Sequence, residues 1–208
     1  PARSLPLLAP VTFRRWLRKN LRKLNPARPV GELYIFADEF TNHNDTQVGI
    51  SAVKLLTGLG YRVLTVRHSP SARTYISKGF LRKARKLIIN NIAVFEPIIS
   101  SDRPLVGLEP SAVLGFRDEF PDLAGEIYRG KALKVAENTL LLEEFLVREF
   151  ARGKITSEMF RNDSVEVLVH VHCQQKAIVT SAPVIEALSI PSGFTVREIP
   201  SGCCGMAG

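Results

Sequence analysis

An α/β fold with two similar halves, each a short parallel sheet flanked by helices, is what this sequence predicts, on two observations. The first is a strand–helix–strand order that occurs twice. Leu33-Tyr-Ile-Phe36, an amphipathic stretch from Thr46 to Gly60, and Tyr61–Val66 make one instance; Val165–Val171, Gln174–Leu188 and Phe194–Ile199 make the other. Two strands joined through a single helix in so few residues form a right-handed parallel crossover. The second observation is an internal match. A shift of 133 residues lays Tyr34-Ile-Phe36 on Val167-Leu-Val169, Leu55 on Leu188 and Gly60-Tyr-Arg-Val63 on Gly193-Phe-Thr-Val196 without a gap. Self-similarity at a fixed period is the mark of a duplicated unit, so the fold class reads as two pseudo-repeated, Rossmann-like halves.

The elements follow in order. Thr12 caps a helix whose apolar stripe is Phe13, Leu17, Leu21 and Leu24, with Trp16 beside it and paired basic residues opposite. Pro26, Pro29 and Gly31 interrupt the pattern, so residues 1–30 read as a basic helical arm and linker. Leu33–Phe36 suits a strand buried on both faces, with the polar loop Asp38–Asp45 at its carboxyl end. The helix from Thr46 is expected to turn Val48, Ala52, Leu55, Leu56 and Leu59 inward and to stop at Gly60. Residues 72–92 read as a basic helix, Leu105–Leu108 as a third strand, and Pro121–Arg152 as a long helical region with Val135, Leu142 and Leu146 facing in. The strand and helix order then begins again, with Pro183 inside the second crossover. The expected domains are the arm 1–30, a first, cysteine-free repeat 31–160, and a second, truncated repeat 161–208.

At 208 residues and 45% hydrophobic, the chain has enough apolar side chain to bury a core. No apolar run reaches the roughly 18 residues of a membrane span. The start, Pro-Ala-Arg-Ser-Leu-Pro, has neither a signal-peptide layout nor an initiating Met, which predicts a fragment of something longer. Net charge is +8 at pH 7, concentrated in Arg14-Arg15, Arg18-Lys19, Arg22-Lys23, Arg82-Lys83 and Arg85-Lys86. Pairs at helical spacing read as solvated helix faces, and no aromatic-interleaved motif supports nucleic-acid binding. The charge is compatible with peripheral association at the inner face of a membrane. Three cysteines, an odd number, argue against a disulfide framework and for a reducing, cytoplasmic compartment.

Those thiols are where chemistry concentrates. Cys173 lies in Val169-His-Val-His-Cys-Gln-Gln-Lys-Ala177, and Cys203 and Cys204 lie in Pro200-Ser-Gly-Cys-Cys-Gly-Met-Ala-Gly208, where glycine leaves the backbone free to wrap a ligand. Thiolates suit an iron-sulfur cluster or zinc, because soft sulfur donates strongly to both. Cys173 is expected to end a strand and open a helix, where first-turn N–H groups and Lys176 favour a thiolate. Gly202 and Gly205 leave room for amide hydrogen bonds to cluster sulfurs. His170 and His172 share one face of the strand and Cys173 takes the other, so a zinc site of His172, Cys173, Cys203 and Cys204 requires the strand to end at Val171. His170 is expected in a buried hydrogen bond that positions the loop. The bland alternative is three reduced, unmetallated cysteines; a vicinal disulfide would be strained.

His170-Val-His-Cys173, Ser201-Gly-Cys-Cys-Gly-Met-Ala-Gly208, Tyr75-Ile-Ser-Lys-Gly79 and the segment Glu109–Leu123 together resemble the cysteine-rich CCG domain, across residues 30–208. That domain occurs in the B subunit of heterodisulfide reductase, the iron-sulfur subunit of glycolate oxidase and the C subunit of anaerobic glycerol-3-phosphate dehydrogenase. The chain most resembles the carboxyl end of fused proteins that carry an FAD-linked oxidase domain and a two-cluster ferredoxin module. In this family each repeat supplies a lone cysteine, a Cys-Cys-Gly and a later Cys-x-x-Cys, which hold an iron-sulfur cluster or, in some members, zinc. The resemblance therefore implies Cys173 as the lone ligand and Cys203 and Cys204 as the pair. It implies a cluster in the intact parent but not in this fragment, FAD in a separate domain, and the flavin and ferredoxin-like domains of the same chain as partners. The implied reaction is oxidation of a 2-hydroxy acid, with electrons passed toward a quinone-like acceptor. The alternative function is a zinc-stabilised or metal-free docking module for a partner subunit or membrane surface.

The first half departs from that pattern. The 133-residue shift sets Phe40 against Cys173 and Pro70-Ser71 against Cys203-Cys204, and Glu109-Pro-Ser-Ala112 stands where the family has Cys-x-x-Cys. No thiol is left there, and His68 does not replace three. The same shift places the later ligands of the second half near positions 242–245. Asp38, Glu39, His43 and Asp45 are expected as turn formers and caps before the Thr46 helix rather than as acid–base groups. Arg117-Asp118-Glu119 reads as a surface or cap cluster. Ser77-Lys78-Gly79 lacks the upstream glycine of a phosphate loop.

Overall fold

The computed structural model describes residues 6–202, and the chain divides into two compact units, Pro1–Thr139 and Leu140–Gly208. Cys203 and Cys204 lie outside the described residues.

The first unit opens with α1 (Phe13–Leu24), begun by Thr12, whose hydroxyl accepts the Arg15 N–H at 3.3 Å. Phe13, Leu17 and Leu21 are buried along one stripe, each worth about 1.5–3 kcal/mol relative to exposure. Asn25 then pins the chain to the sheet, its amide exchanging two 2.9 Å hydrogen bonds with the Val63 backbone. Next come β1 (Gly31–Ile35), α2 (Glu39–His43), α3 (Thr46–Gly58) and β2 (Tyr61–Leu64). β1 and β2 run parallel, Gly31 opposite Tyr61 and Leu33 opposite Val63. After α4 (Arg73–Ile76) and α5 (Leu81–Phe95), β3 (Leu105–Gly107) takes the other edge of β1, with Tyr34 opposite Leu105. α6 (Pro110–Val113), α7 (Glu119–Leu123) and α8 (Glu126–Glu137) follow, and β4 (Thr139–Leu141), which begins at the last residue of this unit, ends the strand order β2-β1-β3-β4. β1 is thus central, and Leu33, Ile35 and Phe36 are all buried, as a parallel strand covered on both faces requires.

Three expectations are corrected here. The 72–92 helix is two helices, because the chain turns through Gly79 at φ +74° between α4 and α5. The Pro121–Arg152 region is likewise broken, by Gly125 at φ +82° between α7 and α8 and by the strand β4. Those left-handed angles favour glycine, which has no Cβ to clash. On α3 the buried stripe is Thr46, Gly49, Ala52, Val53 and Leu56, while Val48 is 48% exposed. Gly49 faces α1 so closely that a Cβ there would stand 2.9 Å from the Phe13 ring.

Between the sheet and α5 to α7 lies an aromatic cluster. Phe36 meets Phe116 edge-on at 5.0 Å between ring centroids and Phe95 at 6.1 Å, and Phe116 lies 4.3 Å from Phe120. Such pairs add about 0.5–1.5 kcal/mol beyond burial.

The second unit contains α9 (Leu142–Ala151), β5 (Val165–Val169), α10 (Cys173–Ile178), α11 (Ala182–Leu188) and β6 (Phe194–Glu198). β5 and β6 pair in parallel from Val165 opposite Phe194 to Val169 opposite Glu198. Both α9 and β6 contact α11. Pro183 falls in the first turn of α11, where its missing N–H is harmless. No helix among the described residues is long and apolar enough to cross a membrane.

Candidate functional site

Cys173 stands where a strand end meets a helix start. β5 stops at Val169, and Val171, 2% exposed, anchors the turn into α10. His172 caps that helix: its Nδ1 accepts the Gln174 N–H at 3.2 Å. Cys173 is the first residue of α10, half-buried, among the N–H groups that a helix leaves without internal partners. Gln175, 2% exposed, ties α10 to α9 through a 2.6 Å hydrogen bond from Nε2 to Glu143. Burial pushes the Glu143 carboxyl above its ordinary range, and the Gln175 bond opposes that shift.

The chain leaving β6 passes the same helix. Lys176 Nζ donates to the Ser201 carbonyl at 2.8 Å and pairs with Glu198 at 3.4 Å. His170 Nε2 lies 3.4 Å from the Gly202 carbonyl. His170 is exposed, not buried as expected, because the outer face of β5 is open: Leu168 on it is 65% exposed. Its expected hydrogen bond to a loop is present, but from a solvated ring.

In the first unit the matching end of the sheet holds a polar cluster without sulfur. Asp38 caps α2, its Oδ1 accepting the Thr41 N–H at 2.8 Å. This small helix, rather than the Thr46 helix, is the one that Asp38 starts; Asp45 makes no side-chain cap. Glu39 accepts from Ser71 twice, from Oγ at 3.0 Å and from N–H at 3.1 Å. Arg73 pairs with Glu119 at 3.3 Å. Glu109 accepts from the Ser111 hydroxyl at 2.7 Å. His68 stacks on Phe36 at 4.4 Å and is buried. Burial, reinforced by the nearby Arg14 guanidinium, lowers the His68 pKa to about 4. Burial raises the carboxyl groups of Asp38 and Glu119 above their usual range.

Sequence reasoning missed Arg14. The basic pairs of α1 read as solvated, yet Arg14 folds inward, donating from Nη2 to the Ala37 carbonyl at 3.2 Å, while its backbone N–H bonds Asn42 at 2.9 Å. Nothing in the spacing separates it from Arg15 or Arg18; only the approach of α1 to the strand ends does. Nor is Glu119 purely a surface group, since Arg73 engages it and its Oε2 is buried without a partner.

Among the described residues, no group of three or more His, Cys, Asp or Glu side chains is arranged to hold a metal. In the first unit, Glu39 and Glu109 are engaged by serine, Glu119 by Arg73 through one oxygen, and Asp38 by the Thr41 N–H. The second unit offers a different donor set. Cys173 has soft sulfur at an accessible helix start, the two remaining thiols follow directly on Gly202, and thiolates of this kind fit an iron-sulfur cluster or zinc. His172 is oriented with Nδ1 toward the α10 backbone.

Known proteins similar to this chain are dehydrogenases. D-2-hydroxyglutarate dehydrogenase of Escherichia coli (strain K12) is 28% identical over 192 residues, covering 91% of this chain and 18% of the relative. The C subunit of anaerobic glycerol-3-phosphate dehydrogenase from the same organism is 26% identical over 208 residues, covering 99% of this chain and 50% of the relative. D-2-hydroxyglutarate dehydrogenase of Pantoea ananatis (strain AJ13355) is 24% identical over 215 residues, covering 99% and 20%. The chain thus spans about a fifth of the hydroxyglutarate enzymes and half of the glycerol-3-phosphate dehydrogenase component. No family model and no solved structure matches it.

Proposed function

We propose that this chain is the cysteine-rich electron-transfer module of an FAD-linked oxidoreductase, with Cys173, Cys203 and Cys204 as thiolate ligands of an iron-sulfur cluster. The observation that carries this reading is the convergence at α10: Cys173 opens the helix, and Lys176 of the same helix holds the Ser201 carbonyl, two residues before Cys203, at 2.8 Å. The similarity to dehydrogenases supports the same direction. When bound, the cluster would supply a one-electron relay. The chain's own part is to fix the backbone that carries the thiols, with His172 capping the start of α10 and Lys176 holding the Ser201 carbonyl. A zinc centre is the alternative, with the same three thiols and His172 as its ligands.

The two units read as copies of one ancestral half. The order α1-β1-α2-α3-β2 recurs as α9-β5-α10-α11-β6. Aligned on their sheets, Gly31 opposite Tyr61 and Val165 opposite Phe194, the crossovers differ by one residue. Asp38 then matches His172, each the cap of the short helix that follows, and Glu39 rather than Phe40 matches Cys173. On this alignment the Glu39–Ser71 pair stands where the second copy has thiols, and the first copy is scaffold, with the arm 1–30 as its opening helix.

In the whole protein, a 2-hydroxy acid would lose two electrons and two protons to FAD, becoming the 2-oxo acid, and electrons would continue toward a quinone-like acceptor. The partners are then the flavin and ferredoxin-like domains of the parent, on the cytoplasmic side. Mixing the anaerobic full-length protein with D-2-hydroxyglutarate, lactate or glycolate tests this. The expected result is bleaching of the iron-sulfur absorbance after flavin reduction; flavin reduction with no change at the cluster, in protein with intact Cys173, would overturn it.

A further inference from the structure

We propose that Lys176 and His170, on either side of Cys173 in the chain, are positioning residues that clamp Ser201 and Gly202, the backbone leading into Cys203 and Cys204, an inference that rests on the thiolate-ligand reading above. The two side chains flank Cys173 evenly, three residues before it and three after. They address the last two carbonyls before the vicinal cysteines: Lys176 Nζ donates to Ser201 at 2.8 Å, and His170 Nε2–H to Gly202 at 3.4 Å. Sheet pairing ends just upstream, where the Ile199 N–H donates to Val169 at 2.8 Å. Beyond that point apolar packing gives no support. Ser201 and Gly202 are exposed, and a Cβ built on Gly202 would meet nothing within 4 Å. Side-chain hydrogen bonds therefore place this stretch.

Lys176 is itself held. Glu198, the last residue of β6, pairs with it at 3.4 Å and accepts the Ser181 hydroxyl at 2.7 Å, so the lysine spans from the strand end to the tail within one network. The Lys176 bond is charge-assisted and short, whereas the His170 bond is long, so the lysine carries most of the effect. The thiols lie about 30 residues apart along the chain, and closing such a loop onto one ligand costs conformational entropy. A clamp that fixes Ser201 and Gly202 removes part of that freedom beforehand and so lowers the cost for any ligand needing all three sulfurs.

Cadmium tests the clamp without iron or activity, because each thiolate bound to Cd2+ adds sulfur-to-metal charge-transfer absorbance. Titrated anaerobically into the full chain, Cd2+ is expected to engage three thiolates. Lys176→Met should raise its Kd about tenfold, in the range for outer-shell partners of metal sites. His170→Phe should raise it less, and Lys176→Arg, which keeps a charged donor, should restore most of the affinity. Thermal midpoints of all three variants should match wild type. An unchanged Kd in Lys176→Met overturns the proposal, as does a loss in Lys176→Arg equal to that in Lys176→Met, or fewer than three thiolates bound in wild type. Three-thiolate binding with the expected variant pattern, alongside failure of the parent to assemble an iron-sulfur cluster, would sink the proposed function and leave the clamp standing.

Discussion

His68 accepts the backbone N–H of Ala37 at 3.3 Å through Nε2, while its Nδ1–H donates to the Ser69 carbonyl at 2.7 Å. One ring thus joins the end of β1 to the loop after β2, and it does so only as the neutral tautomer, since a protonated ring has no acceptor. Arg14 Nη2 lies 3.0 Å from Nδ1 and 3.2 Å from Nε2, so its positive charge stands against protonation of the ring.

The consequence is a stability that falls with acid. The folded pKa is about 4, below the ordinary 6.5, so the unfolded chain binds the extra proton first. The His68 contribution is complete above pH 6.5 and is lost as pH falls toward 4. Between pH 7 and pH 5 that amounts to about 2 kcal/mol by linkage. Urea unfolding of wild type and His68→Gln at the two pH values checks it: the wild type should lose about that much more than the variant. Asp38, whose raised pKa acts with the opposite sign, is present in both proteins and cancels in the comparison.

Gly193 and Gly58 should respond to alanine in opposite directions. A Cβ on Gly193 would run into the backbone carbonyl of Asp163, which cannot rotate away. Gly193→Ala is expected to cost about 1–3 kcal/mol. Gly58 closes α3 with nothing within 4 Å of an added methyl, so Gly58→Ala should stabilise by about 0.5–1 kcal/mol. Thermal denaturation of the two variants decides both signs.

Glu149 on α9 is 2% exposed and faces three cations, Arg148 and Arg152 at 3.1 Å and Lys154 at 3.4 Å. The cations are partly solvated, which limits the loss, so Glu149→Ala is expected to cost about 1–3 kcal/mol. Removing the exposed Asp122 partner of Arg129 should change stability by less than about 0.5 kcal/mol. Chemical denaturation of the two variants side by side makes the contrast.

Much of the frame was legible in the residues. The stripe of α1, the β1–α3–β2 crossover ending at Gly60, and the opening of α10 at Cys173 all carry strong periodic or boundary signals. The short helix α2 escaped, because five residues beginning at Glu39 are too few to show a helical period, and its cap Asp38 reads equally well as a turn former. The breaks at Gly79 and Gly125 escaped because a left-handed backbone leaves no mark on hydrophobic spacing. A one-residue difference between the two crossovers is invisible to an ungapped shift, yet in a strand one residue reverses every side chain; under the proposed duplication it moves the partner of Cys173 from Phe40 to Glu39. At the candidate site, the ligand types could be read directly. The capping role of His172 is local but falls on a residue type outside the usual cap set, and the reach of Lys176 to Ser201 depends on tertiary approach; neither could be read.

The most direct test of the central claim is electron paramagnetic resonance after anaerobic reconstitution with iron and sulfide, applied to a chain extended past position 245, with and without Cys173→Ser. The extended wild type should develop a cluster signal with matching iron and acid-labile sulfide. Cys173→Ser should lose that signal, while Ser71→Ala in the first unit keeps it. A Cys173→Ser protein with the full signal, or an extended wild type that stays free of iron, would contradict the assignment of these thiols.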